Sequence, residues 1–231
     1  MAKAKKKAVF FDAGGTLFAP NPSVGRIYAD AAAKYGMRTD AGEIEKIFRE
    51  EFARRDRMAS FAHATEKNEK EWWRALVREV FGKVTELRNF DSFFEYLYDL
   101  FARPEVWQLY PEVPRVLKAL KEKRLVLGIV SNWDSRLLSL CEGMRVDRSF
   151  DFILASALVG SAKPDAGIFK RALELARVEP GDALHVGDSV ENDCLGAKRA
   201  GIDALLINRS GREGVEVEWV KSLDEIVSYV E

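Results

Sequence analysis

The chain has 231 residues, of which 47% are hydrophobic and 32% charged, and its formal net charge is −1. That balance belongs to a globular chain long enough to bury a sizeable core, and it excludes a global field directed at nucleic acid or membrane. No apolar run approaches the ~20 residues of a membrane helix. Met1 is not followed by a signal-peptide stretch. Cys141 and Cys194 stand alone without zinc-site spacing, so a reducing, cytoplasmic setting is expected.

In chain order, Lys3, Lys5, Lys6 and Lys7 read as a solvated basic leader. The run Ala8-Val9-Phe10-Phe11 then ends at Asp12-Ala13-Gly14-Gly15-Thr16. A short apolar run bounded by glycines predicts a strand buried on both faces. Val24, Ile27, Tyr28, Ala31 and Tyr35 fit one helix face, and Ile44, Ile47, Phe48 and Phe52 fit a second. Trp72, Trp73, Leu76, Val77, Val80 and Phe81 make a third stripe; Phe90, Phe93, Phe94, Leu97, Leu100 and Phe101 make a fourth. No strand-like run interrupts them, so residues 19–109 are expected to form a helical insertion, its aromatic stripes forming a small core. Further strands are expected at Leu125 to Val130, Phe152 to Ala155, Ala183 to Val186 and Ala204 to Ile207. Helical spacing recurs at Val113, Val116, Leu117 and Leu120, and again at Leu223, Ile226, Val227 and Val230. The expected architecture is α/β: a five-stranded parallel Rossmann-like core sheet (residues 1–18 and 110–231), with a helical cap inserted after the first strand.

Polar residues follow four of these strands. They are Asp12 to Thr16, Ser131-Asn132-Trp133-Asp134, Lys163-Pro164-Asp165, and Gly187-Asp188-Ser189-Val190-Glu191-Asn192-Asp193. In a parallel sheet the strand ends share one edge, so these groups converge there. Carboxylates, a hydroxyl, an amide and an ammonium together suit magnesium-assisted phosphoryl transfer. Asp12 can attack phosphorus and divide one hard displacement into two easier ones. Mg²⁺ needs one or two carboxylates besides substrate phosphate; Asp12 and Asp188 can supply them, with Asp193 in or just outside that shell. Ser131, Asn132 and the backbone N–H groups of Gly14-Gly15-Thr16 can donate to phosphoryl oxygens. Lys163 offers a compact positive charge. Asp134 and Asp165 precede helical patterns and read as N-caps, and His185 reads as a satisfied core histidine.

These four blocks resemble the haloacid dehalogenase-like (HAD) hydrolase superfamily along the whole chain. The matching elements are Asp-x-x-Gly-Thr-Leu at 12–17, Ser131, Lys163-Pro164, and Gly-Asp-x-x-x-x-Asp at 187–193. Ser-Asn-Trp-Asp-Ser-Arg at 131–136 looks most like the superfamily's domain-containing-protein-3 branch. The resemblance implies a mobile cap, a nucleophilic Asp12, a metal-binding Asp188, and a metal contact from the backbone carbonyl at Gly14. It also exposes a departure. The family's phosphatases usually place a second Asp at the position of Gly14, where it protonates the leaving group, a service worth ~10²–10⁴-fold. Three functions therefore remain open. The first is a phosphatase on small phosphorylated metabolites, with good leaving groups or with a proton from water or a cap residue such as His63. The second is dehalogenase- or phosphonatase-type chemistry, the latter needing a cap lysine among Lys34, Lys46, Lys67, Lys70 and Lys83. The third is a weakly active or non-catalytic interaction protein. Dehalogenases of the family carry Ser or Asn where Asp188 stands.

Overall fold

The computed structural model describes residues 5–58, 64–85, 89–211 and 214–230. The chain opens with β1 (Ala8–Phe11) and a three-residue β2 (Phe18–Pro20). Four helices follow: α1 (Val24–Lys34), α2 (Ala41–Met58), α3 (Glu66–Gly82) and α4 (Phe90–Leu100). The chain returns through β3 (Trp107–Leu109) and then alternates α5 (Val113–Glu122), β4 (Val126–Ser131), α6 (Arg136–Gly143), β5 (Phe152–Ala155), α7 (Ser156–Val159) and α8 (Ala166–Ala176). It finishes with β6 (Ala183–Gly187), a π-turn at Val190–Leu195, α9 (Gly196–Arg199), β7 (Asp203–Ile207), β8 (Trp219–Val220) and a short 3₁₀ segment at Leu223–Val230.

Among the described residues the sheet has six strands in the order β5-β4-β1-β6-β7-β8, all paired in parallel. The five expected strands are all present. The sixth, β8, has only two residues, too short to show an apolar run. Because period-2 side chains face opposite ways, β1 feeds both layers. Val9 and Phe11 join one buried cluster with α5, α6 and the C-terminal segment, and Ala8 and Phe10 join the other with α8 and α9. The chain order reverses direction across β1, with β4 and β5 on one side and β6 to β8 on the other. Such a switch point opens a crevice at the strands' C-terminal ends. The register pairs Phe11 with both Ile129 and Val186, so the three central strands deliver their following residues to the same level.

The helices α1 to α4 bury a third cluster of their own, centred on Tyr28, Ile44, Leu76, Phe81, Phe93 and Leu97. The aromatic stripes pack there as expected, with Phe81 and Phe93 edge to face at 4.7 Å. Ser23 and Thr65 cap α1 and α3 through bonds to Arg26 N and Asn68 N. Sequence patterning overlooked the antiparallel ribbon of β2 and β3, which pairs Phe18 with Leu109 and Pro20 with Trp107. Three residues with a proline at one end carry no readable alternation. Two further expectations change. Lys6 is buried, donating to Gly181 O and pairing with Asp203, so it belongs to the fold and not to a solvated leader. Lys3 lies outside the described residues. The C-terminal apolar spacing closes as a 3₁₀ segment burying Leu223, Ile226 and Val230.

Candidate active site

Asp12 follows β1 directly and its N–H donates to Val186 O of β6 at 2.9 Å, which holds the backbone between the strands. Its two carboxylate oxygens differ. Oδ1 accepts from Ser131 Oγ at 2.8 Å and from Lys163 Nζ at 2.6 Å. Oδ2 has one long contact, Thr16 Oγ1 at 3.5 Å. Lys163 Nζ also donates to Asp193 Oδ1 at 2.6 Å. That same oxygen meets His185 Nε2 at 2.9 Å, and Asp193 Oδ2 accepts from Ser189 N at 2.9 Å. The result is a buried row running Asp12, Lys163, Asp193, His185.

Burial raises the Asp12 carboxyl above its ordinary range and the Asp193 charge adds to this, against Lys163 and Ser131. For Lys163 burial opposes the charge, but Asp12 and Asp193 together outweigh it and hold the ammonium protonated. Burial likewise opposes the Asp193 charge; Lys163 and His185 prevail and keep it far below the usual carboxylate range. Burial lowers His185, and among the described residues its Nδ1 has no partner, so the proton belongs on Nε2 facing Asp193. The histidine is thus half-satisfied and joined to the site, more than a core residue.

Asp188 follows β6 at the solvent-facing mouth. Enclosure by surrounding protein, with the charges of Asp12 and Asp193, pushes its carboxyl well above the ordinary range. Asp12, Asp188 and Asp193 each offer one oxygen, all within 4.8 Å of one another. Three hard oxygens at that spacing fit a divalent cation. Two glycines make the approach possible. A Cβ on Gly15, whose φ is 79°, would collide with Asp188, and one on Gly187 would collide with Asp193. The π-turn after Ser189 sets Asp193 directly beneath β6, an irregularity common at functional sites.

The remaining expected residues take more specific roles. The Asn132 side chain clasps the Lys163 backbone, donating to its O at 2.8 Å and accepting from its N at 2.7 Å. Asn132 therefore positions the lysine. Within the turn, Gly15 N–H donates to Phe18 O and Thr16 N–H to Ala13 O, so these two groups are not aimed at a ligand. Gly14 sits two residues past Asp12, with the Trp133 indole over it. Asp165 caps α8 through Gly167 N. Asp134 accepts from the Arg136 N–H that opens α6 at 3.0 Å, although the N-cap position itself is Ser135. It is fully buried, pairs with Arg136 at 2.7 Å and accepts from Tyr98 Oη at 2.6 Å, while the Arg136 guanidinium lies 3.4 Å from the Tyr98 ring centre. Ser135 N donates to Glu66 and Ser156 Oγ to Glu69, so α3 and α4 both touch this loop. His63 lies outside the described residues. Lys34, Lys70 and Lys83 are engaged with Tyr96, Glu95 and Glu51.

Sequence reasoning missed Arg209. Following β7, it donates to Thr16 O at 2.7 Å, pairs with buried Glu112 and stacks 3.5 Å from the Tyr110 ring centre. The strand-end rule that found Asp12 and Asp188 applies equally to β7 and would have pointed to it.

The profile of the haloacid dehalogenase-like hydrolase family matches residues 6–201. The chain belongs to this hydrolase family. Haloacid dehalogenase-like hydrolase domain-containing protein 3 of Bos taurus is 32% identical over 200 residues, covering 85% of this chain and 80% of the relative. The protein of the same name from Danio rerio is 30% identical, covering 94% and 93%. Among solved structures, a HAD phosphatase from Thermococcus onnurineus superposes with a TM-score of 0.68 at 26% identity, covering 97% of each chain.

Proposed function

We propose that the chain is a Mg²⁺-dependent phosphatase acting on small phosphorylated molecules through an aspartyl-phosphate at Asp12. The observation that carries this reading is the asymmetry of Asp12: Oδ1 is held by Ser131 and Lys163, and Oδ2 is left for attack. Oδ2 bonds to phosphorus as the ester P–O bond breaks, and the electron pair departs with the leaving oxygen. Water then attacks the same phosphorus, the acyl–phosphate bond opens, and phosphate leaves with the Asp12 carboxylate restored. Lys163 keeps its proton throughout and offsets charge on the transferring group. Asp12 and Asp188 would hold Mg²⁺, with the Gly14 carbonyl as the family resemblance implies. Asp193 stands beside them as the partner that orients Lys163. The bound cation supplies positive charge that offsets the developing negative charge on phosphoryl oxygens. Residues 19–109 serve as the cap over this crevice and carry substrate choice.

A carboxylate at position 188, in reach of Asp12, favours phosphoryl chemistry over halide displacement. The test is hydrolysis of para-nitrophenyl phosphate with Mg²⁺, with chelator, and by Asp12→Asn. Asp12→Asn is the cleaner probe than a Lys163 variant, because deleting the buried ammonium leaves two facing carboxylates, at about 3–5 kcal/mol. Mg²⁺-dependent turnover lost in Asp12→Asn is expected. Equal rates under all three conditions overturn the proposal, and no turnover across a panel of phosphate esters favours an interaction protein.

A further inference from the structure

A side chain added at Gly14 would point at the Trp133 indole, with its Cβ 3.5 Å from Cζ3. Among the described residues no other atom beyond the chain neighbours lies within 4 Å of that position. The indole is held from behind. It packs on Phe18 at 5.7 Å and Trp107 at 5.2 Å, and the Trp133 backbone N–H donates to Ser156 Oγ at 3.1 Å. Trp133 is only half-buried. The turn that follows Asp12 therefore meets a packed aromatic ring at Gly14, and Gly14 itself brings no acid.

We infer that Trp133 is the platform for the leaving group, and that the substrates are phosphate esters of planar, conjugated oxyanions, of the phenolate or enolate kind. The inference rests on the phosphatase reading above. Two independent properties of the site select the same chemistry. With no acid at position 14, the leaving oxygen departs carrying the electron pair of the broken P–O bond. It takes its proton from bulk water after release, so its charge must be stabilised within the leaving group, as delocalisation does in a phenolate or enolate. Delocalised oxyanions are planar, and a planar face or edge is what an indole packs against best. A simple alkoxide fails on both counts, and a fluorinated one on the second alone.

The test compares phenyl phosphate with hexafluoroisopropyl phosphate, whose leaving groups are similarly acidic though only the first is planar. With the full-length protein and Mg²⁺, kcat/KM favours phenyl phosphate by roughly two- to tenfold, the size of one aromatic pair. Trp133→Leu abolishes that preference and Trp133→Phe retains most of it. In the unmutated protein the non-hydrolysable phenylphosphonate competes better than methylphosphonate by a similar factor, a readout independent of turnover and of how well the variants fold. No preference in the unmutated protein, or an unchanged one in a folded Trp133→Leu, overturns the inference and leaves the phosphatase standing. Failure of the unmutated protein to turn over either ester overturns the phosphatase reading and this inference with it.

Discussion

At the scale of single residues, the site is complete on one side of Asp12 and bare on the other. Ser131, Lys163 and Asp193 are all bonded and buried, whereas Gly14 contributes only backbone. The space at Gly14 tests this contrast directly. A Cβ there meets Trp133 at ordinary van der Waals distance and the backbone is not left-handed, so Gly14→Asp should fold. Its carboxyl would supply the missing acid, raising kcat on an alkyl phosphate by up to ~10²–10⁴-fold and on an aryl phosphate far less. Steady-state kinetics on both esters decide it; equal changes would mean that leaving-group protonation does not limit the reaction. Asp12, Ser131 and Asp188 were legible from the chain because each stands at the end of a readable strand, and Lys163 by the Lys-Pro pair that lies beyond β5 and α7. The true partners of Asn132, Asp134 and His185 were not, since hydrogen bonds made across the fold leave no trace in local spacing.

At the scale of elements, the segment Ser131–Arg136 leads from β4 in two directions. Its first two residues hold Asp12 and the Lys163 backbone, and its last three meet α3 and α4. Burial opposes the Asp134 charge, but Arg136 and Tyr98 overcome it and hold the carboxyl below its ordinary range. Tyr98→Phe deletes one charge-assisted bond, roughly 1.5–3 kcal/mol, and leaves the Arg136 pair intact. Amide exchange at Trp133 to Arg136 is then expected to quicken relative to β4 itself. Unchanged protection would show that the loop keeps its place without α4. The strands were readable because burial on both faces makes an apolar run. The ribbon of β2 and β3 was not, and neither was the two-residue β8, because a pattern of period two needs more residues than these elements have.

At the scale of the whole molecule, acid stability has an identifiable contributor far from the crevice. Hydrogen bonds from Lys83 and Arg54 hold the Glu51 carboxyl at about 2 instead of its ordinary 4.5. A depressed carboxyl stabilises the folded state fully above the ordinary value, and that contribution is lost as pH falls through the window from 4.5 to about 2. Glu51→Gln should lower Tm at neutral pH and flatten the further decline across that window. Thermal melts at stepped pH read this, and parallel curves for the two proteins would assign the acid response elsewhere. The fold's layering was legible in full outline, because alternating strand and helix patterns leave few arrangements; the way its two parts grip one another was not. The ribbon has one more consequence. It pairs Pro20 with Trp107, so the excursion from 21 to 106 departs and returns at a single doorway. The sheet meets both ends of that excursion at one place. An exchange of the helices between those ends would leave the paired strands where they stand.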